Sequence, residues 1–148
     1  MKRGKYRPAI FALVYVKRDG KGKYLLLKRK LHWNGWEFPK GGIEFFEIKR
    51  IAVRREVKEE TGLDAVKIKK FNVKGKYTYH KKLADRPNFI GQSYSLFAIE
   101  VKEGKVKIDK KEHSTYKWVN YNEAAKKLTW ENQKKCLKIV NDWLKNGI

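Results

Sequence analysis

Glu56, Glu59 and Glu60 stand at positions i, i+3 and i+4 of a stretch, Glu47 to Thr61, that has no Gly or Pro and is rich in helix formers. On a helix these three carboxylates lie on one side, because residues three and four apart are surface neighbours. At about 100° per residue, Ala52 and Val53 lie on that side one turn earlier, with Val57 at its flank. Glu56 and Glu60 therefore share an arc with apolar residues rather than a plainly solvated face. Carboxylates gathered at a core edge repel one another and are costly to desolvate unless a cation compensates them. A hard divalent ion such as Mg2+ takes oxygen ligands and commonly bridges to substrate phosphates. Lys49 and Lys58, close in sequence, could balance the charge instead, and a Glu-rich helix face is ordinarily solvated. These three residues alone leave both readings open.

Wider spacing narrows the choice. Gly41, five residues, Glu47, seven residues, then Arg55-Glu56-Val57-Lys58-Glu59-Glu60-Thr61-Gly62-Leu63 puts nine specified positions at fixed separations. The pattern resembles the Nudix box, and fixed spacing at that many positions is a specific signal. The resemblance implies an α/β fold with a mixed β-sheet sandwiched between helices, and metal-dependent hydrolysis of phosphoanhydrides. It implies that Glu56, Glu59 and Glu60 are metal ligands and that Arg55 pairs with a box glutamate, Glu47 in first place, fixing loop against helix. Gly41 falls with the metal site as the turn residue that brings the loop backbone close, and Gly62 terminates the helix.

Other segments resemble one clade of that family, the bacterial RNA 5′-pyrophosphohydrolases and the plant-type dinucleoside polyphosphate hydrolases. They are Tyr6-Arg7-Pro8, Trp36-Glu37-Phe38-Pro39-Lys40-Gly41-Gly42-Ile43 and Ile90-Gly91-Gln92. Glu112, six residues before Trp118, looks like the clade's extra acidic ligand or base. Glu112-His113 with Tyr116, Trp118 and Glu123-Ala124-Ala125 is equally similar to the diadenosine tetraphosphate hydrolases. Phe45 and Phe46 depart from the polar turn common in relatives, and residues 67–88 match no pattern.

The chemistry follows from a polyphosphate substrate. Metal ions on the acids would screen phosphate oxygens, stabilise developing charge and acidify a water. Glu59, Glu60 or Glu112 would accept the proton from that water, with Arg55 and Glu47 as further members of the catalytic set. Arg7, Lys28 and Lys40 are candidate phosphate contacts. Tyr77 and Tyr79, on one face of an extended segment, and Tyr116 are candidates to hold a base by stacking. Trp36, Trp118 and Trp143 read as core, and His80 and His113 lack a second His or Cys at zinc spacing.

The elements that must position these residues can be read coarsely. Ile10 to Val16 and Tyr24 to Lys28 flank Asp19-Gly20 and Gly22 as a hairpin. Leu31 to Gly42 is loop with at most a short strand near Trp36 to Phe38, and Glu47 to Thr61 is a helix. Val66 to Tyr79 is extended and broken near Gly75, and Lys81 to Asn88 is a loop. Gln92 to Val101 alternates as a strand, with Tyr94, Leu96 and Ala98 on one face. Tyr116 to Val119 is a short strand, Asn120 or Asn122 caps a helix through Leu128, and Glu131 to Lys145 is an amphipathic helix. With no repeat or linker, one domain over 1–148 is expected.

Composition limits the classes. Thirty-seven Lys and Arg against 16 Asp and Glu leave +21, which attracts polyanions without choosing among them. No apolar run approaches the roughly 20 residues that span a bilayer, so no membrane partner is expected. One cysteine, Cys136, permits no internal disulfide, which fits the cytoplasm. The leading expectation is a Mg2+-dependent hydrolase, with Mn2+ as an alternative, acting on dinucleoside polyphosphates such as diadenosine tetraphosphate. Next come triphosphorylated RNA 5′ ends, then ADP-ribose. A non-catalytic nucleic-acid-binding protein is the reading from another class, and a monomer or weak dimer is the expected assembly.

Overall fold

Residues 9–16 are all buried, as a strand covered on both faces must be, and a computed structural model places them at the centre of one sheet. The structure describes residues 5–44, 47–79 and 83–146; Phe45, Phe46 and His80 lie outside the described residues. The central strand β1 (Lys5–Arg18) turns at Asp19 (φ 53°) and Gly20 (φ 74°) into β2 (Lys21–Arg29). Both central residues of that two-residue turn need positive φ, which Asp-Gly supplies at low cost. Gly22, expected in the turn, instead pairs with Lys17.

Then follow β3 (Gly35–Glu37), β4 (Lys40–Gly42), helix α1 (Lys49–Thr61), β5 (Ala65–Thr78), β6 (Phe89–Val101), β7 (His113–Val119), α2 (Tyr121–Lys127) and α3 (Glu131–Lys145). The sheet runs β3-β2-β1-β6-β5, with β4 on β1 and β7 on β2. It is mixed: β1 and β6 are parallel, and the remaining pairs are antiparallel.

Alternation along β1 splits the core into two layers. Phe11, Leu13 and Tyr15 pack with Leu96, Ala98, Cys136, Leu137 and Val140, on the α2–α3 face. Ile10, Ala12 and Val14 pack with Phe97, Ile99, Val53 and Val57, on the α1 face. The sheet is thus sandwiched between helices. Burial pushes the Cys136 thiol up to about 11, so it is a packed, unreactive group. Among the described residues no helix is long and apolar enough to cross a membrane.

Local differences from the expectations bear on the site. Helix α1 starts at Lys49, not Glu47, because the Glu47 carboxylate is engaged by Arg55 and by the Glu44 N–H. Strand β5 is not broken at Gly75, where a Cβ would overlap the Tyr94 ring; its irregularities lie between Ala65 and Lys67 and between Lys70 and Lys74. Strand β4, read as loop, pairs Gly41 and Gly42 with Ile10 and Ala9. It shares with β2 the edge of β1 opposite β6, β2 taking Tyr15–Arg18 and β4 taking Ala9–Phe11. Asn120 caps α2 by accepting from the Glu123 N–H at 2.9 Å.

Candidate active site

Val53 and Val57 are fully buried on α1, and this fixes the rotation of the helix. Glu56 and Glu60, one turn apart beside that stripe, are buried with them, whereas the Glu59 side chain is 58% exposed. Lys49 and Lys58, the alternative countercharges, bond elsewhere, to Ser95 Oγ and to Asp64 and the Gly62 carbonyl.

Arg55 joins loop to helix. Its Nε and Nη2 donate to the two oxygens of Glu47 at 2.6 and 2.7 Å, a bidentate fork, and Nη2 also donates to the Gly42 carbonyl at 3.0 Å. Its Nη1 donates to Glu56 at 2.8 Å and to Glu59 at 3.2 Å. The Arg55 hydrogen bonds hold the Glu47 carboxyl at about 2. Gly41 presses against the Glu56 carboxylate so closely that any Cβ there would overlap it. The neighbouring Lys40 N–H donates to Glu60 at 3.2 Å.

Glu112 comes from the turn before β7, where its carbonyl accepts the Lys30 N–H at 2.9 Å. Ligand-capable atoms of Glu60, Glu112 and His113 lie within 4.8 Å of one another. Burial, partly offset by Arg55, pushes the Glu56 carboxyl up to about 7. Burial pushes Glu60 well above the carboxylate range, reinforced by Glu37, Glu112 and Glu56. Buried acids facing further acids, with oxygen the dominant donor, suit a hard divalent cation.

This yields a test. A raised carboxyl pKa means that the folded state binds the proton more tightly than the unfolded state. The stabilisation is complete below about 4.5 and is lost as pH rises through about 7 for Glu56. Glu37 and Glu47, held near 2, contribute in the opposite sense, and only as pH falls below the ordinary range. Without divalent cation, the melting temperature is therefore expected to drop between pH 5 and 8. Added Mg2+ should restore several degrees at pH 8 and little at pH 5. Equal Mg2+ shifts at both pH values in a thermal-shift series would remove these acids from the metal site.

Beneath the acids lies a buried ionic cluster that sequence reasoning missed. Glu37 is fully buried, and its Oε2 receives His113 Nε2 at 2.8 Å and Arg29 Nη1 at 3.2 Å. Lys40 Nζ stands 3.2 Å from its other oxygen. Burial alone would raise the Glu37 carboxyl, but Lys40, His113 and Arg29 bring it down to about 2. His113 is thus placed beside the acids, with Nε2 bonded to Glu37. The flanking residues gave no signal, because adjacent side chains of a strand point to opposite faces and Trp36 does not report on the side where Glu37 lies.

The cations divide differently from the expectation. Arg7, Arg29, Lys40 and Arg86 line the recess that also holds Glu56, Glu60 and Glu112. Lys28 does not reach it: strand alternation turns Lys28 onto Trp36, 5.5 Å from the ring centre, and points Arg29 inward. Arg86 donates to Tyr79 Oη and to Gln92 Oε1, each at 3.0 Å. Burial and this second guanidinium pull Arg7 below its ordinary range.

Beside the recess a cavity of about 590 Å³ is walled by Trp33, Trp130, Tyr77 and Tyr79, with Arg29, Lys40, Arg86 and Gln92 shared between the two. Tyr77 accepts from Lys40 Nζ at 3.4 Å and donates to Gln92 at 2.9 Å. Tyr116 lines neither space and stands exposed on β7.

Comparison with known proteins agrees with this geometry. The NUDIX domain model matches residues 5–138. An RNA pyrophosphohydrolase of a Nitratiruptor species is 30% identical, over 99% of each chain. One of a Sulfurovum species is 28% identical over 97% of this chain and 96% of that protein. Among solved structures, the C. elegans Ap4A hydrolase binary complex superposes with a TM-score of 0.76 at 22% identity, covering 96% of this chain and 99% of that one. The E. coli dihydroneopterin triphosphate pyrophosphohydrolase gives 0.75 at 21% identity, covering 93% and 97%. At those identities the structural likeness concerns the fold.

Proposed function

Given that this chain belongs to the Nudix family and is a pyrophosphohydrolase, we propose that it removes pyrophosphate from the 5′ end of triphosphorylated RNA in a Mg2+-dependent reaction, with Mn2+ as a substitute. The observation that carries the reading is the meeting of Arg7, Arg29, Arg86 and Lys40 with Glu56, Glu60 and Glu112 in one recess, beside an aromatic-walled cavity. Relatives named RNA pyrophosphohydrolase support it, as does the +21 charge. They move RNA ahead of the dinucleoside polyphosphates that sequence reasoning placed first. A cytoplasmic enzyme suits that substrate.

In this proposal Glu56, Glu60 and Glu112 hold the cation, and the Gly41 backbone closes one side of its site. A divalent cation bound there would neutralise phosphate oxygens and lower the pKa of water. Arg7, Arg29, Arg86 and Lys40 draw in the phosphate chain and set its orientation. Water attacks phosphorus, the P–O bond to the departing pyrophosphate breaks, and a carboxylate takes the proton. Glu112 is the candidate base: it is 30% exposed on a turn, while Glu59 is tied to Arg55 and turned outward. Arg55 and Glu47 act as positioning residues by holding loop and helix together. Tyr77, Tyr79, Trp33 and Trp130 enclose the first base.

The aromatic cavity also favours a second reading, dinucleoside polyphosphates, since an adenine would fit the same walls and a structural neighbour is an Ap4A hydrolase. Parallel kinetics with Mg2+ on 5′-triphosphorylated RNA, diadenosine tetraphosphate and ADP-ribose distinguish the readings. The highest kcat/KM is expected on RNA, with pyrophosphate among the products. A higher value on diadenosine tetraphosphate would establish the second reading instead.

A further inference from the structure

Strand β5 ends the sheet and carries Lys67, Lys69, Lys70, Lys74 and Lys76. No acidic residue occurs between Asp64 and Asp85. Directly paired residues on neighbouring strands project to the same face. Lys70, Lys74 and Lys76 pair with Phe97, Ser95 and Ser93, and Phe97 belongs to the α1-side core. These three lysines therefore share the α1 face, and the two extra residues of the irregularity between Lys70 and Lys74 preserve that phase.

The first turn of α1 adds two more cations there. Lys49 donates to Ser95 Oγ at 3.0 Å, and Arg50 donates to the Ile68 carbonyl at 3.4 Å. Burial, then Lys70 and Lys74, pull the Lys49 ammonium below its ordinary range, a sign of how closely the three approach. Among the described residues, none of Lys49, Arg50, Lys70, Lys74 and Lys76 pairs with a carboxylate. At the other end, Lys76 Nζ stands 4.9 Å from the Tyr6 ring centre, and Tyr6 Oη is 3.1 Å from Thr78 Oγ1. Tyr6 precedes Arg7 on β1, and the Arg7 side chain leaves the opposite face of the strand. From Thr78 to Lys70 the partner strand advances from Gly91 to Phe97, about 20 Å at strand rise.

We propose that this ridge, Lys76-Lys74-Lys70 with Lys49 and Arg50, binds the phosphate backbone of single-stranded RNA downstream of the 5′ end. The inference rests on the RNA reading of the site. Five cations with no carboxylate partner among the described residues, on one face of the sheet at the strand ends that also bear Arg7 and Gln92, complement a polyanion that continues past its first nucleotide. A dinucleotide is too short to use them. Binding through them is electrostatic, tolerant of sequence and steeply salt-dependent.

The test uses Lys70→Gln/Lys74→Gln/Lys76→Gln, whose sites are exposed and outside the catalytic set. Two RNAs are compared, an unstructured oligonucleotide long enough to cover the ridge and a triphosphorylated dinucleotide. Fluorescence anisotropy of the long RNA, bearing either a 5′-hydroxyl or a 5′-triphosphate, is expected to show roughly tenfold weaker binding at low salt. The slope of log affinity against log salt should shrink by about 2. KM should rise for the long RNA alone, with kcat preserved on both. Unchanged anisotropy and slope, or an equal KM rise on the dinucleotide, overturns the ridge. Loss of binding to phosphatidylserine vesicles with RNA affinity intact would assign the patch to a membrane and overturn it as well. If the wild type bound the long RNA through the ridge but hydrolysed neither triphosphorylated RNA, the substrate reading would fall alone.

Discussion

Glu60→Gln is expected to lower kcat by about 1,000-fold while raising the melting temperature of the metal-free protein. The two effects have one cause. Glu60 is buried and faces Glu37, Glu112 and Glu56, so its ionised form is costly in the absence of a cation. The neutral amide removes that cost and keeps an oxygen for the Lys40 N–H. It also removes a full negative charge from the proposed metal site. Loss of one charged group that stabilises a transition state costs about 4 kcal/mol, which corresponds to three orders of magnitude. Steady-state kinetics and calorimetry on the same preparation check the pair of effects. A variant that kept its turnover would place the chemistry elsewhere, and one that melted lower without metal would contradict the electrostatic account of the helix.

Glu37→Ala is expected to be the most destabilising single change near the site. The carboxylate is fully enclosed and is shared by Arg29, Lys40 and His113. Removing it leaves buried Lys40 without its countercharge and Arg29 with only Glu112, 3.7 Å away, a class of change that typically costs about 3–5 kcal/mol. In a chain of this size that corresponds to a fall of about 10 °C in melting temperature. Activity should fall further than stability explains, because Lys40 and Arg29 line the proposed phosphate site and His113 adjoins Glu112. Glu37→Gln separates the two roles. It retains the shape and an acceptor for His113, so folding should recover more fully than kcat/KM. Wild-type kinetics in Glu37→Gln would reduce the cluster to packing.

Much of this is legible in the sequence, for reasons particular residues make plain. The helical period placed Glu56 and Glu60 beside Ala52, Val53 and Val57, and all five are buried. The same period left Glu59 out of that apolar arc, and Glu59 is the exposed one of the three. Alternation in Gln92 to Val101 assigned Leu96 and Ala98 to one layer and Phe97 and Ile99 to the other, as found. On β2 the candidate fell one residue from the cation that enters the site, and one residue on a strand reverses the face. Short β4 was hidden because Pro39, Gly41 and Gly42 read as loop; its pairing with β1 is what brings Gly41 against Glu56. Arg86 sits in the stretch that matched no pattern, and its contacts with Tyr79 and Gln92 join segments distant in sequence. No local rule signals such a residue.

Mn2+ binding by the wild type, Glu56→Gln, Glu60→Gln and Glu112→Gln, followed by electron paramagnetic resonance of the free ion near pH 8, tests the central claim most directly. Saturable binding by the wild type, weakened in each variant and competed by Mg2+, is the predicted result. Mn2+ affinity that stays the same in all four proteins would contradict it.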